Sequence, residues 1–346
     1  MQKTLVVHHH AGIGDLIWHV PYFRAIAAAS LGGKVTVMAR PSCRATDVLA
    51  GESCVEEVIE HDYRPRYNVK GKHDGIKGQL QFIRELRRRK FGRIYIFSER
   101  DHYAKLALLA GISHRSGYGF RVMQRLYLND PTYIKRYDGP GSGVYAEATS
   151  FAMAHGFVSG PIVPKLTLPM QYVEEAEARL SQFPKIRYAF AIGASEPKKN
   201  WGAENFLILA KRLIDAGCGV VFLGGPAERE EAEKAFSTAN GLRPGTFQVM
   251  CQSSVPKSAA VLKQCDFCIG NDTGVLNLSV ACDTPALGLF GHTLPLTHDP
   301  LMHGISEKGM DSISVDAVIA RLRELNAPAI QTVHVGPFFG ETIFRA

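Results

Sequence analysis

The stretch Leu5-Val6-Val7-His8-His9-His10-Ala11-Gly12-Ile13-Gly14-Asp15 opens the chain with a short apolar, β-branched run and a turn built on two glycines, and a helical pattern follows from residue 16 to about residue 29. Strand, glycine loop and helix in succession make the first step of a doubly wound α/β unit. Outward from it the alternation continues, with strands expected over residues 35–39, 55–59 and 94–97 and helices near 79–89 and 104–110. A proline-rich stretch, 160–169, contains Gly160-Pro161-Ile162-Val163-Pro164. After it the pattern starts again, with strands over 188–192, 220–223, 267–269 and 286–290 and helices near 203–216, 228–239 and 256–263. The fold class is therefore α/β, with two Rossmann-like doubly wound domains, 1–165 and 170–325, facing a central cleft and followed by a tail, 326–346. In such sheets ligands bind beyond the carboxyl ends of the strands, where loops enter helices.

A chain of 346 residues, 46% hydrophobic, is long enough for about two domains with large cores. No apolar run approaches the roughly 20 residues of a membrane span, and Met1-Gln2-Lys3-Thr4 leads straight into a strand rather than a signal peptide, so the expected location is the cytoplasm. Seven scattered cysteines suit reduced core thiols. Cys265 and Cys268 form a C-x-x-C, but Cys268 lies in the strand-like run Phe267-Cys268-Ile269 and no second ligand pair stands at zinc spacing, so no metal is expected. A net charge of +7 favours anionic partners.

Three loops stand out. Gly12 and Gly14 match the first two glycines of a dinucleotide fingerprint, but Ile17 stands where the third belongs and the second strand ends at Met38-Ala39-Arg40 without a ribose-binding acid. Arg40 leaves only an NADP variant open. Asp15 at this loop either accepts a proton from an attacking hydroxyl or stabilises a helix start. The second loop, Gly193-Ala194-Ser195-Glu196-Pro197-Lys198-Lys199-Asn200-Trp201, places a hydroxyl and two ammonium groups just before a helix, which is either a phosphate site or a solvated turn. The third, Gly270-Asn271-Asp272-Thr273-Gly274, ends a buried strand and begins a helix whose free amides would face a diphosphate. Its Asp-Thr-Gly triplet occurs once, in an α/β context, which excludes an aspartic protease, and the lack of a Walker A pattern argues against a P-loop nucleotidase.

Together Gly12-Ile13-Gly14-Asp15 with Pro21, Gly193-Ala194-Ser195 through Lys199 and Trp201, Gly270-Asn271-Asp272-Thr273-Gly274, and Thr284-Pro285-Ala286-Leu287-Gly288-Leu289-Phe290-Gly291 resemble glycosyltransferase family 9. That family contains the bacterial ADP-heptose:lipopolysaccharide heptosyltransferases. The similarity covers nearly the whole chain in order and spacing, and is most specific between Gly193 and Gly291. It implies a GT-B fold and an inverting, metal-independent and cofactor-free transfer from an ADP-sugar donor to a lipopolysaccharide inner core or similar acidic saccharide or glycolipid acceptor. It also implies an N-terminal acceptor domain, a C-terminal donor domain, a last helix or tail crossing back onto the first domain, and peripheral contact with the inner membrane. Carried over by residue, Asp15 resembles the catalytic base and Lys199 the diphosphate-binding lysine. Gly14 and Ser195 resemble positions beside the donor, Glu228 the acid that holds the ribose, and Asp272, Thr273 and Gly274 the segment around the diphosphate and sugar.

The pattern is broken at Asn277, four residues after Thr273, where the family usually has His. An amide donates and accepts hydrogen bonds but carries no charge, so the identity of the sugar is the point this departure touches. His8-His9-His10 is a further oddity; residues on a strand alternate, so at most His8 and His10 share a face. From Arg64 to Arg93 the sequence is conspicuously basic, a solvated face in part and otherwise suited to an acidic glycolipid. No nucleic-acid-binding motif accompanies the charge, so nucleic acid is not an expected partner. An active sugar transferase accounts for all three loops. The alternatives are a family member with another nucleotide sugar or acceptor, a silent sugar-nucleotide-binding protein, and a nicotinamide-dependent oxidoreductase.

Overall fold

The computed structural model describes residues 1–64, 69–140, 142–225, 228–230, 233, 243–251 and 253–334. Two compact units meet in sequence between Leu168 and Pro169, at the end of the proline-rich stretch.

In the first unit, β1 (Thr4–His8), β2 (Val35–Ala39), β3 (Val55–Glu60), β4 (Arg93–Phe97) and β5 (His114–Gly117) form a parallel sheet in the order β3-β2-β1-β4-β5. Every residue of β1 and β2 is buried, so both faces of the sheet centre are covered, and this is why these strands appear as unbroken apolar runs. On one face the helix Gly75–Arg89 buries Phe82, Ile83 and Leu86, which spacings of three and four residues place on one stripe. Beside it the helix Asp101–Leu109 buries Tyr103, Ala104, Leu106 and Ala107 in the same cluster, over Leu5, Val7, Ile94 and Ile96. Each large aliphatic or aromatic side chain so buried contributes about 1.5–3 kcal/mol.

The second unit holds β6 (Arg187–Ala191), β7 (Gly219–Leu223), β8 (Phe247–Met250), β9 (Phe267–Asn271), β10 (Ala286–Phe290) and β11 (Met302–Ser306), all parallel, in the order β11-β10-β9-β6-β7-β8. Its core gathers Trp201, Phe206, Leu209 and Leu213 with Tyr188 and Phe190 of β6 and Val318, Ile319 and Leu322 of the helix Val315–Glu324. In both sheets the strand order reverses beside the first strand, between β1 and β4 and between β6 and β9. His8 faces Phe97 across the first of these pairs, and Ala191 faces Gly270 across the second. At such a reversal the connections leave in opposite directions and open a crevice at the carboxyl ends.

Several elements differ from the sequence-based expectation. The single helix expected near 16–29 is two, Ile13–Ile17 and Val20–Ala28, because Pro21 lacks an amide donor and sits in a first turn, where none is needed. Strands β5, β8 and β11 and the helices Gly143–Ala154 and Met170–Arg179 were not anticipated. Most of the helix expected near 228–239 and residues 335–346 of the tail lie outside the described residues, whereas Ala327, Ile330 and Val333 at the start of the tail pack in the core of the second unit. All seven cysteines are free, and burial raises the Cys268 thiol to about 12 and that of Cys265 further, which opposes thiolate chemistry.

Candidate functional site

Beyond the carboxyl ends of β6 and β9, four loops of the second unit converge, those after β6, β7, β9 and β10. The loop after β6 runs through Gly193, Ala194 and an exposed Ser195 into a 3-10 turn, Pro197–Lys199, and the helix Ala203–Asp215. Asn271, the last residue of β9, is fully buried and ties the two strand ends together. Its amide nitrogen donates to the carbonyls of Ile192 (2.8 Å) and Gly193 (3.2 Å), and its carbonyl oxygen accepts from the Trp201 backbone N–H at 3.1 Å. Next to it, Asp272 Oδ2 receives Lys199 Nζ at 2.9 Å and the Thr293 hydroxyl at 3.0 Å. Lys199 and Asp272 each keep 18% of their side-chain exposure, enough for a ligand to reach and compete with the pair.

Thr273 is the N-cap of the helix Gly274–Ala281 in an extended conformation, and among the described residues no side chain caps that helix. Its first-turn amides therefore remain a weakly positive surface for an anion. The expected His position holds Asn277, which is buried and donates from Nδ2 to the Thr273 carbonyl at 3.3 Å, bracing the start of the helix. From the end of β7, Glu228 accepts the Gly225 N–H at 2.7 Å. A Cβ placed on Gly193 would lie 3.6 Å from the Glu228 carboxyl carbon, so this acid stands against the loop after β6. Sequence reasoning singled out Lys199, Ser195, Glu228, Asp272, Thr273, Gly274 and Asn277. It missed Thr293, which follows β10 in a loop with no motif, and the bracing role of Asn271.

At the corresponding reversal of the first unit, Gly12 leads from the end of β1 into the helix Ile13–Ile17, with Asp15 in its first turn and Gly14 buried. A Cβ on Gly12 would come within 2.9 Å of Asp15 Oδ2, so the carboxylate lies back over backbone that only glycine leaves open. His19 Nδ1 donates to the Asp15 carbonyl at 2.6 Å, which fixes that ring's tautomer. Of the three histidines at the end of β1, His8 closes the strand and is buried, and His9 and His10 follow it half-buried with their rings clustered. His9 and His10 have ring centroids 4.1 Å apart, His8 and His10 5.6 Å, and His8 and His19 4.7 Å. Burial lowers all four, His9 to about 4, His10 and His19 to about 3 and His8 well below its usual range, so the cluster is neutral at physiological pH. No group of three or more His, Cys, Asp or Glu among the described residues is arranged to hold a metal ion.

Two doubly wound parallel sheets with these loops at their reversals define a two-domain α/β enzyme of the GT-B class. The chain matches glycosyltransferase family 9 (heptosyltransferase) over residues 79–311 and belongs to that family; it is a glycosyltransferase. It is 24% identical over 301 residues, 84% of its own length and 83% of the relative's, to lipopolysaccharide heptosyltransferase 2 of Escherichia coli K12. Among solved structures, the E. coli ADP-heptose lipopolysaccharide heptosyltransferase II superposes with a TM-score of 0.73 at 22% identity, covering 95% of this chain and 99% of that one. An E. coli heptosyltransferase with ADP-2-deoxy-2-fluoro heptose gives 0.71 at 19% identity, covering 94% and 100%. No helix among the described residues is long and apolar enough to cross a membrane.

Proposed function

We propose that this protein transfers a heptose or closely related sugar from an ADP-sugar to a lipopolysaccharide inner core or similar acidic saccharide, with inversion at the anomeric carbon and without a metal ion. The observation that carries this reading is the convergence of Lys199, Asp272 and Thr293 beside an uncapped helix start at the β6–β9 reversal, with Glu228 alongside. That arrangement suits a nucleotide diphosphate: Glu228 accepts from the ribose hydroxyls, while Lys199 and the amides after Thr273 take the phosphates, with Ser195 and Gly274 lining the same loops. The relatives' names supply the sugar, the nucleotide and the acceptor class.

In the transfer, Asp15 removes the proton of the attacking acceptor hydroxyl as the new bond to the anomeric carbon forms, and ADP departs from the opposite face. Gly14 keeps the backbone beside the base compact. Lys199 leaves Asp272 to meet the charge growing on the departing diphosphate, a contribution of roughly 3–4 kcal/mol for a well-placed donor. Asp272 and Asn277 are then left to meet the sugar. The acceptor belongs to the first unit and the work is done on the cytoplasmic side, with no nucleic acid involved.

The test is calorimetric titration with ADP-heptose, ADP and UDP in EDTA, followed by turnover of Asp15→Ala. ADP ligands are expected to bind without metal, and Asp15→Ala is expected to keep donor affinity while losing roughly 100-fold or more of its turnover. A preference for UDP, or near-normal turnover in the variant, would overturn the donor or the base assignment respectively.

A further inference from the structure

We infer that His19 is a positioning residue for Asp15: the bond from its ring to the Asp15 carbonyl, rather than the backbone of the helix itself, sets where the carboxylate stands. The inference rests on the reading of Asp15 as the base. A helix of five residues, Ile13–Ile17, gains little stability from its own backbone, because nucleation fixes several residues for each bond closed. Its last carbonyls also lack intrahelical partners. Continued regularly, the helix would bring the His19 N–H to the Asp15 carbonyl. That amide turns instead to the Leu16 carbonyl at 3.0 Å, and the amide of Trp18 goes to the Gly14 carbonyl at 3.1 Å. The His19 side chain takes the place that its amide has left, donating from Nδ1 to the Asp15 carbonyl at 2.6 Å.

His19 is held from the other side too. It is the N-cap of the next helix, Val20–Ala28, and its own carbonyl accepts from the amides of Tyr22 and Phe23, both at 3.0 Å. The ring is fully buried, with its centroid 5.0 Å from that of Phe97, 6.0 Å from Phe23 and 4.7 Å from His8. Phe97 and His8 end neighbouring strands, so the ring takes its place from the sheet and passes it to the helix that carries Asp15. At the start of that helix, Gly12 leaves open the space beside the Asp15 carboxylate. Bare backbone beneath and His19 behind therefore set the carboxylate together. His19 Nε2 has no hydrogen-bond partner among the described residues and burial keeps the ring neutral, so Nδ1 carries the one proton and its bond persists near neutral pH. Packing alone has no need of that bond, since a phenylalanine would fill the same space among these rings without burying an unpaired nitrogen.

The test separates the bond from the ring. H19F keeps the packing and removes the donor, whereas H19N keeps a nitrogen donor attached to Cγ, as Nδ1 is, and removes most of the ring. With ADP-heptose and the inner-core acceptor, H19F is expected to lose roughly tenfold or more of kcat, the loss a displaced base brings, with KM for ADP-heptose unchanged. H19N is expected to recover most of kcat although it melts lower than H19F, because it opens a cavity between Phe23 and Phe97. A merely structural role gives the opposite order, with activity following the melting temperature. In the Asp15→Ala background H19F should have no further effect, because the two residues act as a unit. Before any substrate is added, nitrogen NMR of labelled histidine should show His19 protonated on Nδ1. H19F with the parent's kcat, H19N no more active than H19F, a full further loss in the Asp15→Ala background, or protonation on Nε2 would overturn the inference while leaving Asp15 as the base. Near-normal turnover of Asp15→Ala alone would instead overturn the base assignment, and the inference with it.

Discussion

Asp272 receives one hydrogen bond from a cation, Lys199, and one from a neutral hydroxyl, Thr293, and the two have different consequences. Lys199 supplies charge to the site. Thr293 supplies only direction, holding the carboxylate at an angle that a lysine on a flexible stem does not fix. Thr293→Val keeps the side chain's shape and removes that direction. A hydrogen bond to a charged acceptor is worth about 1.5–3 kcal/mol, so kcat/KM is expected to fall roughly tenfold or more and the melting temperature by several degrees. Thr293→Ser, which keeps the hydroxyl, should recover most of the activity. Steady-state kinetics on the two variants check this, and a valine variant as active as the parent would remove Thr293 from the site. Neither partner of Asp272 was legible as its partner, since Lys199 lies 73 positions away and Thr293 lies 21. The loops could each be recognised by local residue type; their convergence is a product of strand order.

At the scale of elements, the junction of β6 and β9 sets the positions of everything the second unit brings to the site. A Cβ on Gly270 would fall on Ala191, well inside van der Waals contact with both its Cβ and its carbonyl oxygen, so the strands approach closely only because that position is bare. Gly270→Ala must therefore push β9 from β6 and shift Asn271 and Asp272 from the loop they brace. Overpacking of this kind costs about 1–3 kcal/mol. At roughly 2–4 °C for each kcal/mol in a domain of this size, the melting temperature should drop by several degrees, and calorimetry should show weaker ADP binding. An alanine variant with the parent's stability and affinity would mean that the sheet yields without disturbing the site. The central strands β1, β2, β6, β7, β9 and β10 were readable because burial on both faces demands unbroken apolar runs. The three that escaped, β5, β8 and β11, are all edge strands. Sequences such as His114-Arg115-Ser116-Gly117 bury only part of their length, and their strand character comes from the neighbour they pair with. The break between Ile13–Ile17 and Val20–Ala28 escaped for a related reason: the apolar period runs through it, while the interruption is decided by Pro21 and the His19 bond to Asp15.

At the scale of the whole molecule, titratable groups are divided unevenly. Nine of the thirteen histidines lie in the first unit. Besides the four near β1, His61 stacks on Phe82 (4.5 Å between centroids) and His102 on Tyr63 (4.1 Å), and burial lowers His61 to about 3 and His102 to about 4. A histidine depressed in the folded state binds its proton in the unfolded chain first, near pH 6.5, so stability is full above that pH and falls as pH drops toward 3–4. For one such buried ring the loss at pH 5 is about 2 kcal/mol, and for coupled rings the total is smaller than the sum. Acid should therefore unfold the first unit before the second. The chain has two tryptophans, Trp18 in the first unit and Trp201 in the second, both buried, so W201F and W18F leave one fluorescent reporter for each. Between pH 7 and pH 5 the transition seen by Trp18 is expected to fall by several degrees or more and that seen by Trp201 to move much less, each compared within its own variant. His61→Phe preserves the stacked ring and removes two nitrogens that have no hydrogen-bond partner among the described residues, so it should flatten the acid loss of the Trp18 transition without lowering stability at pH 7. Equal shifts at both tryptophans would mean that the acid sensitivity does not come from these histidines.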